Sequence, residues 1–367
     1  MIFVDGLPFA SDSSSEPQQQ GWDTLQALLD HPSLESASNA LKAIPEKKFS
    51  VSQDSVPESR WVYLFQREYA TVDPAFVNTD FPFTDIKNVS SQSSAKFVGT
   101  DEATTCMGLA IRNPENGMTS VAHLDSPKVV DMGLSQMMSL LVQDNMDVEL
   151  DVHLVGGFED VSPNHGNCNT RSENQAKLDG YSFPLGAKII ETLLKRPERF
   201  HIRTLCILRH NTRRDPEGNA YPIFHGFMIS TSTGSIIPAS FDETSRCPDE
   251  IVRRIRVSAS YEDSRWKGRL LETYETQTDL FKIAPCCWTF RQLHIASSLK
   301  KYSDSEILLM CSTSPSAEAP DFVKNLRRGW DYLLEYPDWR ETFPMKQPRV
   351  FERTAEGGWK SQKMEIH

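Results

Sequence analysis

The chain has 367 residues, 39% of them hydrophobic and 24% charged, with a formal net charge of −11. That length suits one large domain or two smaller ones, and the acidic balance disfavours nucleic acid and anionic membranes as partners. No apolar run reaches the roughly 18 residues of a membrane-spanning helix.

Met1 to Gln20 joins a short apolar patch to a Ser/Gln-rich tract that reads as flexible. It lacks the basic n-region and long apolar core of a signal peptide. Trp22 to Leu41 places Leu25, Leu28, Leu29, Leu34 and Leu41 at helical spacing, broken by Pro32, which predicts one or two short helices packed on the main body. Residues 1–55 therefore form an N-terminal segment and residues 56–367 the main domain. Trp61 to Phe65 reads as a strand, and Asp73 to Ser94 as loop ending in a Ser/Gln cluster. Asn88-Val89-Ser90 matches the glycosylation pattern, which carries no weight without secretion.

Met107 to Arg112 and Met118 to His123 read as strands around the turn formers Asn113-Pro114-Glu115-Asn116-Gly117. Cys106 and His123 flank this hairpin and are the residue types for a thiol nucleophile and its base. A four-residue loop sets the two directly opposite each other; a two-residue turn at Asn116-Gly117 keeps them on one face but out of step; a five-residue loop puts them on opposite faces. The catalytic reading needs the four-residue loop or an equivalent bulge. Ahead of the cysteine, the polar turn from Gly99 to Thr105 offers exposed N–H groups, with those around Thr105 and Cys106 placed to collect an oxyanion.

Ser135 to Asn145 reads as a helix with a Met/Leu core face. Asp147 to Phe158 alternates as a strand, with His153 on its polar face in a structural role. Glu159 to Gly180 is an insertion loop, where His165 and Cys168 lack the second ligand pair a zinc site needs. Tyr181 to Lys195 is an amphipathic helix. His201 to His210, Tyr221 to Ser230 and Ser235 to Phe241 read as strands; Phe281 to Thr289 is a short strand, Asp321 to Tyr336 a helix started by Pro320 and Asp321, and Val350 to Trp359 a final strand. Ile251 to Ser258, Leu270 to Thr278, Leu293 to Lys301 and Asp304 to Cys311 have no decided pattern. Seven cysteines, several inside apolar runs such as that around Cys206, suit reduced thiols in the cytosol or nucleus rather than disulfides. The spacing of the strands points to an α/β sandwich of antiparallel sheets with helices outside.

The run Gly99-Thr100-Asp101-Glu102-Ala103-Thr104-Thr105-Cys106 resembles the active-site signature of the protein N-terminal asparagine amidohydrolases. Val152 to Phe158, Ile283 to Trp288 and Ser312-Thr313-Ser314-Pro315 resemble that family's other blocks in the same order, so the likeness covers roughly Trp61 to Tyr336. It implies deamidation of an N-terminal asparagine to aspartate, which marks a protein for an arginyl-transferase and a ubiquitin ligase. The Cys-to-His spacing also resembles bacterial chemoreceptor glutamine deamidases, which pair Cys, His and Thr on a sandwich fold. By that likeness Thr100 is the third member, accepting from the imidazole N–H to orient His123. The substrate's α-ammonium needs an anion, for which Asp101, Glu102 and Asp125 are the candidates with Glu159 behind them, Asp101 first because it lies inside the signature. No metal or organic cofactor is required, and the chain is expected to act as a cytosolic monomer. The rival readings are a thiol deamidase for glutamine or internal amides, and a non-catalytic module that binds N-terminal residues.

Overall fold

A computed structural model of the chain describes residues 1–9, 17–50, 60–74, 95–142, 148–160, 180–354 and 357–362. Most of the loop expected over Asp73 to Ser94, with its glycosylation triplet, lies outside the described residues. So do most of the Glu159 to Gly180 insertion, with His165 and Cys168, and much of the Ser/Gln-rich tract.

Apolar alternation on both faces builds a sandwich. Among the described residues the larger sheet runs eleven strands, and its centre comprises, in spatial order, Glu68–Val72, Thr119–Leu124, Met107–Arg112, Glu149–Gly156 and Arg199–Ile207. A second sheet has the order Lys47–Phe49, Ile236–Phe241, Phe227–Ser230, Phe97–Thr100, Trp61–Leu64. Leu109, Ile111, Ala122, Leu124, Val152 and Leu154 face one way and pack under the helices Pro17–Leu29, Val130–Leu141 and Ser182–Lys195. Each fully buried leucine there contributes roughly 1.5–3 kcal/mol by leaving water. The opposite face carries Ala70, Ala110, Val121 and Val155, which meet Val62, Leu64, Val98 and Phe227 of the second sheet. The outer face of the second sheet is covered by an aromatic cluster of Phe49, Tyr63, Phe65 and Phe241.

Antiparallel pairs form most of the larger sheet and half of the second, and parallel pairs occur where the chain returns from a distance. Ile2–Val4 and Glu149–Gly156 run parallel to Arg199–Ile207, and Trp61–Leu64 runs parallel to Phe97–Thr100. The N-terminal segment is built into this frame. The helix Pro32–Lys42 begins with Pro32 at its first turn and packs on Arg199–Ile207, while Lys47–Phe49 pairs with Ile236–Phe241.

The hairpin register differs from the four-residue loop. Arg112 pairs with Thr119, which leaves the six residues Asn113 to Met118 as the loop. Side-chain caps hold it open. Asn113 Oδ1 accepts from Glu115 N (3.0 Å) and Asn116 Oδ1 from Met118 N (2.9 Å), while Gly117, at φ +78°, donates to Asn113 O at 2.8 Å. The slip is an even number of residues, so the facing is kept. His123 lies opposite Gly108 instead of Cys106, and Cys106 falls one step beyond the last paired residues, Met107 and Leu124.

Three undecided stretches are helices, at Glu250–Ser260, Phe290–Leu299 and Asp304–Cys311, and Leu271–Glu275 is a strand. The stretch from Phe281 is strand only over Leu280–Ile283; Tyr221 to Ser230 splits into Ala220–Pro222 and Phe227–Ser230; and the end of the chain forms two strands, Arg349–Arg353 and Trp359–Ser361.

Candidate active site

The site lies at one end of the layer between the sheets, where Phe97–Thr100 of the small sheet crosses the hairpin of the large one. The crossing needs Gly108, because a Cβ there would sit 2.4 Å from the Phe227 ring and 3.2 Å from Thr100 Cγ2. Through this gap Thr100 Oγ1 reaches His123 Nδ1 at 2.7 Å. The Thr100 hydroxyl hydrogen is already donated to Leu64 O at 2.8 Å, so Oγ1 accepts from Nδ1–H. That fixes the tautomer and leaves Nε2 with a free lone pair. Nε2 is buried without a hydrogen-bond partner. Burial also pushes the imidazole pKa down to about 4, against the pull of Glu102 and Glu68, so His123 is neutral and able to accept a proton.

Cys106 ends the turn that starts at Asp101. Glu102 takes a left-handed backbone (φ 60°), Ala103 N donates to His225 O at 2.8 Å, and Thr104 N donates to Glu102 O at 3.1 Å. No described residue accepts a hydrogen bond from the N–H of Thr105 or Cys106, which leaves both donors open for an oxyanion. Gly156 (φ +114°) lets the neighbouring strand close on the cysteine, since a Cβ there would meet Cys106 O at 2.8 Å. Cys106 itself is partly accessible. It is not hydrogen-bonded to His123 in this state, as the orphaned Nε2 shows; such contacts commonly tighten only when substrate is bound. Burial, followed by the charges of Asp125 and Glu318, pushes the Cys106 thiol well above its usual range.

The acidic residues divide into two groups. Asp101 is buried and saturated: Tyr63 Oη donates to Oδ1 at 2.7 Å, Phe241 N to Oδ2 at 2.7 Å, and Arg246 Nη2 approaches Oδ2 at 3.3 Å. Burial outweighs Arg246 and pushes its carboxyl up to about 6. Glu102 is gripped by Arg246 (2.8 Å) and by both Nη atoms of Arg254 (3.0 and 2.9 Å). Burial alone would raise the Glu102 pKa, but Arg254 and Arg246 hold it below the usual range. Glu159 is half-buried in an ion pair with Arg214.

Asp125 stands across from Cys106 when the hairpin register is carried one step further. Tyr261 Oη donates to its Oδ2, while Oδ1 is buried with no partner. Burial raises its pKa against Tyr261 and Arg67.

Glu318 was missed in the sequence. It follows the Ser312 to Pro315 block, whose Thr313 Oγ1 lies 3.2 Å from Thr105 Oγ1. His225 Nε2–H donates to Ala317 O at 3.1 Å, which ties the same segment to the turn. Ser312 Oγ bonds the Glu318 carboxylate, and Ser314 Oγ, in a residue 7% exposed, has no partner. The only sequence signal was the nearness of Glu318 to that block. His153 is buried and pairs with Thr204 Oγ1 at 3.0 Å, away from this constellation. Among the described residues no group of three or more His, Cys, Asp or Glu is arranged to hold a metal, and no helix is long and apolar enough to cross a membrane.

Residues 51–361 match the family model described as protein N-terminal asparagine amidohydrolase. The chain belongs to this family. Its Arabidopsis thaliana relative of that name is 54% identical over 98% of this chain and 99% of the relative. The mouse relative is 28% identical over 90% of each chain, and the human one 27% over 94% of each. The N-terminal asparagine amidohydrolases are hydrolases of amide bonds, so the open thiol, free imidazole and open N–H pair stand in a chain whose relatives carry the name of that chemistry.

Proposed function

We propose that the protein hydrolyses the side-chain amide of an N-terminal asparagine, releasing ammonia and leaving N-terminal aspartate. One observation carries this beyond the family name. Thr100 fixes His123 with its Nε2 lone pair free, on the hairpin face that the register assigns to Cys106. In the proposed mechanism Cys106 Sγ attacks the carboxamide carbon while its proton passes to Nε2. The N–H groups of Thr105 and Cys106 receive the oxyanion, each worth about 3–4 kcal/mol if typical. His123 returns the proton to the leaving nitrogen as ammonia departs. A water then splits the thioester, giving the carboxylic acid and restoring the thiol.

Asp125 and Glu318 are the carboxylates left to meet the substrate's α-ammonium. Asp101 and Glu102 act instead through the arginines that hold the turn. No metal or organic cofactor enters these steps. The reading extends to a monomeric cytosolic and nuclear enzyme, whose aspartate product is a substrate for arginylation and then for ubiquitin-dependent degradation.

Matched peptides test the chemistry. An Asn-initiated peptide should gain one dalton (about the mass of exchanging NH₂ for OH) and release ammonia, whereas N-acetylated, Gln-initiated and internal-Asn versions should not react. Turnover of the acetylated peptide would point to a general amide deamidase, and a bound peptide of unchanged mass to a binding module. Cys106→Ala should abolish the mass change; ammonia release by that variant would refute the thiol mechanism.

A further inference from the structure

The electrostatics around the thiol do not suit a nucleophile at rest. Carried one step past its last pair, Met107 and Leu124, the hairpin register sets Cys106 across from Asp125, and the Ser312 to Glu318 segment, pinned to Thr105 and His225, brings a second carboxylate to the same place. Among the described residues these are the two charged groups that act on the thiol, and both oppose its ionisation. Asp125 is steadied by Tyr261 and Arg67, Glu318 also feels Glu102, and His123 feels Glu102 and Glu68. Thiol and imidazole therefore rest as a neutral pair, not as thiolate and imidazolium. Among the described residues four polar atoms in this cluster have no partner: Asp125 Oδ1, Ser314 Oγ, Arg67 Nη1 and His123 Nε2, the last in a residue 1% exposed. Among the described residues Arg67 is the cation beside Asp125, and its Nε and Nη2 are spent on the carbonyls of Arg269 and Trp266; two carboxylates against one such cation leave room for the positive charge that the proposed substrate carries.

We propose that the substrate's α-ammonium completes the active site: seated against Asp125 and Glu318, it cancels their field at Cys106 and so permits the Sγ proton to pass to His123 Nε2. The proposal rests on the N-terminal asparagine reading and deepens it. Recognition of the chain terminus then acts on the chemical step as well as on affinity. An acetylated or internal asparagine is refused even when it is held in place, because nothing offsets the two carboxylates. The free enzyme keeps its thiol protonated, which guards it against adventitious electrophiles until a substrate arrives.

The first test needs no substrate. The rate of Cys106 alkylation by neutral iodoacetamide, followed by mass mapping of its peptide, is measured against pH in the wild type, Asp125→Asn, Glu318→Gln and the double variant. The double variant should titrate at least about one unit lower, reacting about tenfold faster near pH 8, and each single variant should shift part of the way. The same variants should lose at least tenfold in kcat/KM on the Asn peptide, so reactivity and activity move in opposite directions. A merely structural role would not produce that split.

The second test replaces the α-amino group by hydroxyl, keeping shape without charge. In the wild type this analogue should lose at least tenfold in kcat as well as gain in KM. In the double variant the kcat values of the two peptides should come within about threefold. Unchanged thiol titration in the variants, or turnover of the hydroxyl analogue at the full wild-type kcat, would overturn the proposal. If one variant does not fold, the other still reports. A wild type inert on Asn peptides would sink the functional reading instead, and the alkylation result would stand apart from it.

Discussion

The two sides of the Asp101 to Cys106 turn treat carboxylates in opposite ways. Behind the turn, Asp101 and Glu102 are met by Arg246 and Arg254, with Tyr63 and the Phe241 amide completing the shell. In front of it, Asp125 and Glu318 receive a hydroxyl each, from Tyr261 and Ser312, with Gln66 beside Asp125 and Arg67 reaching it as a neighbouring charge. The first pair is balanced within the chain and holds the backbone. The second faces the thiol with Arg67 beside Asp125 and, among the described residues, no cation acting on Glu318. The difference separates a carboxylate that shapes a site from one that is open to a ligand, and sequence position does not reveal it, since Asp101 and Glu102 lie inside the signature and Glu318 lies far from it.

Unbalancing the rear pair should have the largest effect. Arg246→Met strips Asp101 of its buried counter-charge and should cost about 3–5 kcal/mol in denaturant unfolding. Asp101 can escape by taking up a proton, and loss of Arg246 lifts its pKa further, so the loss should shrink as the pH falls toward about 6 and level off below it. A loss under 1 kcal/mol would dissolve the distinction between the two sides. Next in size is the hydroxyl that orients the base. Thr100→Val should lower kcat by about 10–100-fold, or roughly 1.4–2.7 kcal/mol, with KM little changed. Thr100→Ser should recover most of it, which a packing defect alone would not allow.

A smaller effect concerns pH. His123 and His153 are held by burial near a pKa of about 4, below the ordinary value of 6.5. The unfolded chain therefore binds protons that the folded chain refuses between those values, and each histidine makes stability fall as the pH drops from about 6.5 to 4. Asp101 acts in the other direction, because its raised pKa makes the folded chain take up a proton first. His153→Gln, remote from the thiol, should flatten the acid limb of the stability profile by up to about 1.4 kcal/mol per pH unit. An unchanged slope would mean that His153 titrates normally. Smallest of all, Asp125→Asn should change stability by less than about 1 kcal/mol, or raise it slightly, because it removes a charge whose burial outweighs Tyr261 and Arg67. That near-neutral result, set beside Arg246→Met, is the sharpest form of the contrast.

Much of this was legible in the chain itself. Alternation marked the hairpin and its neighbouring strands, and a short run around Cys106 marked the turn. The register escaped by two residues because Asn113 and Asn116 cap a wider loop through their side chains, where the Asn-Gly pair advertised a tighter one. The helix Glu250–Ser260 left no clear apolar stripe because Arg253 and Arg256 are fully buried in it, answering Glu68 from the inside. The ion pair of Asp101 was not legible because its partner, Arg246, lies in an unremarkable stretch. Tyr261 and Glu318 come from segments that only the closed sandwich brings to Cys106.

The thiol and its imidazole ride on one layer of the sandwich, while the hydroxyl that steadies the imidazole rides on the other. Sliding of one layer past the other by an ångström or so would part Thr100 from His123 and free the ring to turn its lone pair elsewhere. Resistance to shear, supplied by the close-packed Val62, Val98, Ala110, Val121 and Phe227 contacts between the layers, is thus as much a requirement for turnover as the reacting groups themselves.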